Sequence, residues 1–453
     1  MVTQEEKYIQ MTQKPIGSTI CRLAIPCIIS MLVTSFYNMA DTFFVGMLKS
    51  NAATGAVGVV FSMMAIIQAV GFFFGQGSGN YISRMLGRKE YKEASTMAAT
   101  GFFSALGAGV LICVVGQIFL EPLAYLLGST DTILPYTKDY LRVILLGAPW
   151  MTASLVLNNQ LRFQGSAVYS MVGITAGAVL NIALDPLLIF TFDMGVAGAG
   201  WATIISQFVS FVLLLVGCGK GGNIRISFRN VRLTWFYLGQ IAKGGLPSLA
   251  RQSLASLATI CLNHTAGIYG GDALIAAMGV VQRIVMFGAS AMLGFGQGFQ
   301  PFCGFNYGAG LYSRVKKGFW FCVKGSFGIL LVVATAAFCF APQIVSLFRD
   351  DPEVIRCGAA ALRFQCFSFP FQSWMVMSNM MEQVMGKTVP ATFLSVARQG
   401  LFFIPAVLIL SAIFGETGVQ ISQMVADLLT VLCAIPIHFY VLRHMPKEDK
   451  VKP

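Results

Sequence analysis

Charge is what this sequence has least of. Only 11% of its 453 residues are Asp, Glu, Lys or Arg, while 56% are hydrophobic and the mean hydropathy is +0.71. A soluble globular chain carries about 25% charged residues, so a water-exposed surface of this size cannot be furnished, and the chain reads as an integral membrane protein. Histidine is scarcer still. His264, His438 and His444 are the only three, too few and too dispersed for a metal centre. The 11 cysteines stand singly from Cys21 to Cys433, with no CxxC pair and no Cys/His cluster at ligand spacing, so they read as small packing residues kept reduced. Neither HExxH nor GxSxG occurs, which removes two signatures of a membrane-embedded hydrolase. No GxxxxGK[ST] pattern offers bound ATP. The chain is not read as an enzyme, and no cofactor is expected.

What is present in abundance is long apolar runs. A helix needs about 20 mostly apolar residues to cross the hydrocarbon core, and twelve such segments follow one another: 21–46, 54–80, 95–118, 139–160, 167–190, 196–217, 241–265, 273–300, 318–340, 357–381, 390–413 and 418–441. They do not alternate apolar and polar as barrel strands would, so the expected fold is an all-α polytopic membrane bundle. The first twenty residues are polar and lack the apolar core of a cleavable signal peptide, so the first span is expected to stay.

The net charge of +12 first suggests a nucleic-acid partner, but the basic residues fall in short clusters between spans. Twenty of the 31 Lys and Arg lie on the side shared by both termini, and the opposite side holds four, Lys49, Lys138, Arg349 and Arg356. Cytoplasmic loops hold such an excess. A multi-pass protein of the cytoplasmic (inner) membrane follows, with both termini cytoplasmic, the bilayer as its partner and no nucleic acid. A monomer is expected.

Sliding the chain against itself by 221 residues exposes a repeat. Pro26 meets Pro247, Ala56-Val57-Gly58-Val59-Val60 meets Ala277-Met278-Gly279-Val280-Val281, and Gly75-Gln76-Gly77 meets Gly296-Gln297-Gly298. Pro149 with Pro370, Asn158 with Asn379 and Gly165 with Gly386 keep the same offset, which slips to 220 where Gly195 and Gly198 meet Gly415 and Gly418. Six spans per half is an even number, so the halves are parallel repeats related by a pseudo-twofold axis along the membrane normal. The expected organisation is an N-terminal segment 1–20, an N-lobe 21–217, a basic cytoplasmic linker 218–240, a C-lobe 241–441 and a tail 442–453. Two such lobes suit alternating access, one lobe rocking against the other, driven by an ion gradient.

Ionisable groups at membrane depth cost about 2.5 to 3.5 kcal/mol on insertion scales and by default mark a pathway. The acids inside the spans are Asp41, Asp185, Glu382 and Asp427. Asp41 and Asp185 each lie about five residues from the outer end of their span, roughly 8 Å down at 1.5 Å per residue. Asn181 shares the helix face of Asp185, Tyr37 and Asn38 flank Asp41, and Thr203 lies about 10 Å down span six. Asp41, Asn181, Asp185 and Thr203 can therefore close around one small volume. Two carboxylates, an amide and a hydroxyl suit a hard cation such as Na+, and two close carboxylates can instead share a proton. The repeat sets Leu262 opposite Asp41, so the fold itself needs no acid there. Glu382 and Asp427 have no comparable partner set in the sequence and read as structural. Pro26 frees the carbonyl of Arg22, and Pro186 that of Ile182; each makes a kink, and Pro26 is the candidate hinge.

At these residues the sequence resembles the multidrug and toxic compound extrusion (MATE) family of secondary transporters. The stretch Phe36-Tyr37-Asn38-Met39-Ala40-Asp41-Thr42-Phe43-Phe44-Val45-Gly46, then Ala56-Val57-Gly58 and Gly75-Gln76-Gly77 with Ser83-Arg84 and Gly87, is similar to that family's opening signature. Asn181-Ile182-Ala183-Leu184-Asp185-Pro186 is similar to its fifth-span signature. The resemblance implies an outward antiporter in which Na+ or H+ enters while an amphipathic, often cationic drug leaves. It implies a cation site at Asp41, Asn181, Asp185 and Thr203, with bending at Pro26 linking it to drug release. Span seven carries Arg251 and His264 but no acid, and span ten only Glu382, which departs from branches that also use acids there.

Thirty-seven Phe and 22 Met offer walls that repack around different ligands. Tyr37, Asn38, Gln282 and Arg283 are the candidate substrate-cavity residues. The second half, however, carries Arg251, Arg283, Lys324, Arg363 and Arg398 within its spans. If Arg283 and Arg398 face a cavity, an anionic or zwitterionic substrate fits, and an exporter or flippase of lipid-linked saccharide stands as the alternative to a drug antiporter.

Overall fold

The computed structural model describes residues 3–48, 50–446 and 448–450. Lys49, counted above on the outer side, and Lys447 and Lys452 of the tail lie outside the described residues. No strand occurs among the described residues. A short helix α1 (Gln4–Thr12) precedes α2 (Ile16–Gly46), α3 (Asn51–Gly87), α4 (Tyr91–Ile118), α5 (Leu120–Leu126), α6 (Leu134–Phe163), α7 (Ala167–Pro186) and α8 (Gly195–Cys218). Then come α9 (Trp235–Gly308), α10 (Tyr312–Cys339), α11 (Ala341–Ser346), α12 (Pro352–Ser368), α13 (Gln372–Val384), α14 (Thr388–Val396), α15 (Ile404–Phe414) and α16 (Glu416–Arg443).

Among the described residues, ten helical stretches are long and apolar enough to cross a membrane. One of them is two spans: the 74-residue α9 leaves helical geometry at Gly271 (φ 60, ψ −156), a conformation that favours glycine. A further span is broken. Pro370 cannot donate to the carbonyl of Cys366, and a 3-10 turn Phe369–Phe371 separates α12 from α13. Among the described residues the count is therefore twelve. The first span begins at Ile16, five residues before the apolar run read from the sequence, because Pro15 pre-sets a helix start and the polar residues after it continue the helix. α9 begins at Trp235, inside the stretch read as linker, with the Thr234 carbonyl accepting the first helical hydrogen bond from the Leu238 amide.

The chain divides into two compact units, residues 1–14 with 25–245, and residues 15–24 with 246–453. In unit 1, α6 is the central helix, packed on α3, α4 and α8. Its Tyr140, Leu141, Ile144 and Met151 form one core with Val60, Met63 and Ile67 of α3 and Val196, Ala199 and Ile204 of α8. The outward face of α4 exposes Val110, Leu111, Val114 and Ile118, an apolar stripe that only lipid can cover without cost. In unit 2 the core joins Ala277, Met278 and Val281 of α9 to Val354 and Leu362 of α12, Val407 of α15 and Ala426 of α16.

Two π-helical turns interrupt spans five and eleven, Leu187–Thr191 directly after Pro186 and Ala397–Phe403 between α14 and α15. Such turns carry an extra residue and recur at functional positions. Both stand beside the polar clusters described next.

Candidate functional site

Span five presents Asn181 and Asp185 one turn apart on the face of α7 that meets α8. The approach is close because the facing residues are small, as helix pairs in lipid require. A Cβ on Gly177 would lie 2.9 Å from the Ser210 side chain, and one on Gly198 would lie 2.7 Å from the carbonyl oxygen of Leu188. This seam buries Asp185, Asn181 and Thr203 to 0%, 1% and 1% exposure. With its amide turned to satisfy both neighbours, Asn181 donates from Nδ2 to Asp185 Oδ2 at 3.1 Å and accepts at Oδ1 from the Thr203 amide at 3.2 Å. The Thr203 hydroxyl donates to the Ala199 carbonyl at 3.0 Å.

Asp41 approaches from α2, near enough for its carboxylate and that of Asp185 to repel when both are ionised. Asp41 Oδ1 and Asp185 Oδ1 are both buried, and neither has a hydrogen-bond partner among the described residues. Buried polar atoms are rarely left so without a role. Tyr37 of α2 joins the group, close enough to interact with Asp41, Asp185 and Thr203. So does Tyr140 of α6, which is 1% exposed and interacts with the same three residues. A Cβ on Gly200 would stand 2.7 Å from the Tyr140 ring, so glycine there makes room for the phenol. The structure thus brings together Asp41, Asn181, Asp185 and Thr203, with Tyr37. Asn38, Gln282 and Arg283 are exposed on their helices.

Sequence reasoning missed Tyr140. The span read from hydropathy begins at 139 and leaves Tyr140 at its edge, whereas α6 begins at Leu134 and carries Tyr140 six residues in, at a depth comparable with Asp41. Sequence reasoning also read Asp427 as lacking partners, which the structure corrects. Asp427 is fully buried and accepts hydrogen bonds from Gln372 Nε2 at 2.7 Å, Arg398 Nε at 2.8 Å, Gln423 Nε2 at 2.9 Å and Ser368 Oγ at 3.3 Å. Gln423 stands four residues before Asp427 on α16, a spacing visible in the sequence, whereas the other three donors come from α12, α13 and the second π turn, which no local spacing announces. Glu382 is also fully buried, and neither of its carboxylate oxygens has a partner among the described residues.

The family model MatE matches twice, over residues 26–187 and 247–409. The chain belongs to the MatE family. MatE proteins are transporters rather than enzymes, need no cofactor and handle small molecules, and this one is a multi-pass protein of the inner membrane. The multidrug export protein MepA of Staphylococcus aureus is 29% identical over 444 residues, 97% of each chain. Among solved structures, an outward-facing multidrug-resistance MATE transporter of the MOP superfamily superposes with a TM-score of 0.92 at 26% identity, over 97% of this chain and 99% of that one. A MOP-superfamily transporter from Pyrococcus furiosus, described by the reverse polarity of its binding pocket, superposes with a TM-score of 0.91 at 25% identity, over 99% and 100%.

Proposed function

We propose that this MatE protein is a secondary active multidrug efflux antiporter, exporting amphipathic, often cationic drugs in exchange for H+ or Na+, with the coupling cation bound by Asp41, Asn181, Asp185 and Thr203. The observation that carries the reading is the pair of buried carboxylate oxygens, Asp41 Oδ1 and Asp185 Oδ1, both without a partner among the described residues beside a converging amide and hydroxyl. Two carboxylates in a low-dielectric setting repel strongly unless a cation or proton compensates them. Loading the site removes that repulsion. A ligand shifts a conformational equilibrium only through its differential affinity for the two states, and a charge-balanced seam differs from an unbalanced one by enough to bias it. Pro26, in the helix that bears Asp41, is the hinge in this reading.

The lobes in this proposal are 21–217 and 241–441, joined by the basic segment 218–240, with both termini cytoplasmic and the protein monomeric. The relation to a protein named for multidrug export supports the substrate class.

Drug efflux in everted vesicles under an imposed Na+ or H+ gradient tests the reading. Asp41→Asn and Asp185→Asn should each lose most gradient-driven efflux while still reaching the membrane. Full efflux by both variants would falsify the coupling site, and the gradient that drives wild type identifies the ion.

A further inference from the structure

Unit 2 contains a second polar cluster, on the spans that the repeat makes equivalent to those of the acidic site. Asp41, Asn181 with Asp185, and Thr203 stand on spans one, five and six; Arg251, Arg398 and Asp427 stand on spans seven, eleven and twelve. At the offset of 220 Thr203 itself meets Gln423, one of the donors to Asp427. The sign is inverted. Unit 1 gathers two carboxylates, whereas unit 2 gathers two guanidinium groups and one carboxylate.

The bonding leaves the two arginines unequal to their single acid. Asp427 already accepts four hydrogen bonds, and Arg398 uses only Nε on it. The terminal nitrogens of Arg398 have no acceptor among the described residues. Arg251 has neither a hydrogen bond nor an ion pair there, and its helix packs on the π turn that bears Arg398, where a Cβ on Gly400 would lie 3.1 Å from the Leu254 side chain, so the two cations are near enough to repel. Both are part-exposed, Arg398 at 27%, so a ligand can reach their unpaired nitrogens. Arg398 is ten residues from the start of α14, about 15 Å along a helix, and Arg251 lies near the middle of the first span of α9. A cluster with net charge +1 at that depth is costly unless an anion completes it.

We infer that Arg251 and Arg398 form a binding site for the carboxylate or phosphate group of an amphiphilic molecule. The guanidinium fork matches both groups bidentately. Asp427 acts as a positioning residue: with Gln372, Gln423 and Ser368 behind it, it fixes Arg398 through Nε and leaves the terminal nitrogens for the ligand. The π turn that bears Arg398 sets the side chain's direction out of the regular helical register. An anion subsite of this kind extends the substrate class of the proposed antiporter from cationic to zwitterionic drugs, and rests on that reading.

The test is equilibrium binding to the purified full-length protein in detergent, without any gradient, using norfloxacin as the zwitterion and its ethyl ester as the cation lacking the carboxylate. Arg251→Gln should weaken norfloxacin binding tenfold or more and leave the ester within twofold. The double variant Arg398→Gln/Asp427→Asn, which removes the ion pair without orphaning a buried carboxylate, should do the same. Equal loss for both ligands, or unchanged norfloxacin binding in a monodisperse Arg251→Gln protein, would overturn the drug assignment. A second arm measures phosphatidylglycerol retention by native mass spectrometry. Retention that depends on Arg251 while norfloxacin binding does not assigns the site to a lipid headgroup; independence of both overturns the site altogether. Because no ion gradient enters, failure of the Asp41–Asp185 coupling reading would leave these binding results standing.

Discussion

Gly77 of α3 lies so close to the backbone of Ile241 that an added Cβ would sit 2.2 Å from the Ile241 carbonyl oxygen. Its repeat partner Gly298 stands in the same relation to Ala24, with 2.5 Å from the Cβ position to the Ala24 amide nitrogen. Both contacts fall inside a single unit, Gly77–Ile241 in unit 1 and Gly298–Ala24 in unit 2. The repeated Gly-Gln-Gly motif therefore marks where each unit receives the first turns of a helix that continues in the other. Gly77→Ala and Gly298→Ala should each cost roughly 1–3 kcal/mol, the usual range for overpacking, because the opposing atoms are backbone and cannot rotate away. Thermal unfolding in detergent checks this. Gly107→Ala, which meets nothing within 4 Å, is the control and should leave the midpoint unchanged or raise it slightly.

Pro26 and Pro247 occupy equivalent places in that arrangement, since unit 1 resumes at Ile25 and unit 2 at Leu246. Each proline is the second residue past a boundary and removes a helical hydrogen bond at the point where the chain changes unit. Pro26→Ala should restore the bond to the Arg22 carbonyl and stiffen the crossing. The expected result is efflux slowed on the order of tenfold with drug affinity retained, and stability equal or higher, since proline inside a helix costs about 3 kcal/mol. Comparing vesicle efflux rates with equilibrium drug binding separates a hinge from a packing kink, which would leave the rate unchanged.

The spans, the repeat and four residues of the acidic site were legible because each follows from arithmetic along one helix. Depth from a span end set Asp41 beside Asp185, and four-residue spacing set Asn181 on the same face. The register between helices was not legible. Arg398 reaches Asp427 across 29 positions through a π turn, and nothing in the run Ala397–Phe403 distinguishes a π turn from an α one. Span ten looked continuous in hydropathy, although Pro370 divides it. Tyr140 was hidden for a related reason: a tyrosine among apolar neighbours resembles core, and only the glycine at position 200, on another helix, reveals that its phenol has been given room.

Tyr140→Phe tests whether that phenol serves the cation site. The ring lies in a well-packed core, so the substitution should leave the unfolding midpoint nearly unchanged. Losing one hydroxyl near the carboxylate pair should cost about 1 kcal/mol of cation affinity, a factor of about five in the Na+ or H+ concentration needed for half-maximal efflux. A shift in stability without a shift in that concentration would make Tyr140 a core residue only.

Lys7 gives a pH dependence outside the membrane spans. It is 8% exposed on the buried face of α1, where its amine donates to Ser166 Oγ at 2.7 Å and to Asn223 Oδ1. Burial pushes its pKa down from 10.5 to about 8, with Cys218 the nearby group acting the other way. A lysine with a lowered folded-state pKa releases its proton in the docked state while the undocked state still holds one. Stability therefore rises with pH across the window from about 8 to 10.5, and below it both states are charged and the slope is flat. Neutral Lys7 keeps two N–H donors, enough for both acceptors. Hydrogen exchange of residues 4–12, corrected for intrinsic rates, should show α1 protection growing through that window by at most about 3 kcal/mol. Lys7→Gln should flatten the dependence, since an uncharged side chain in the same pocket has no proton to lose; a slope that persists in the variant would assign it to another group.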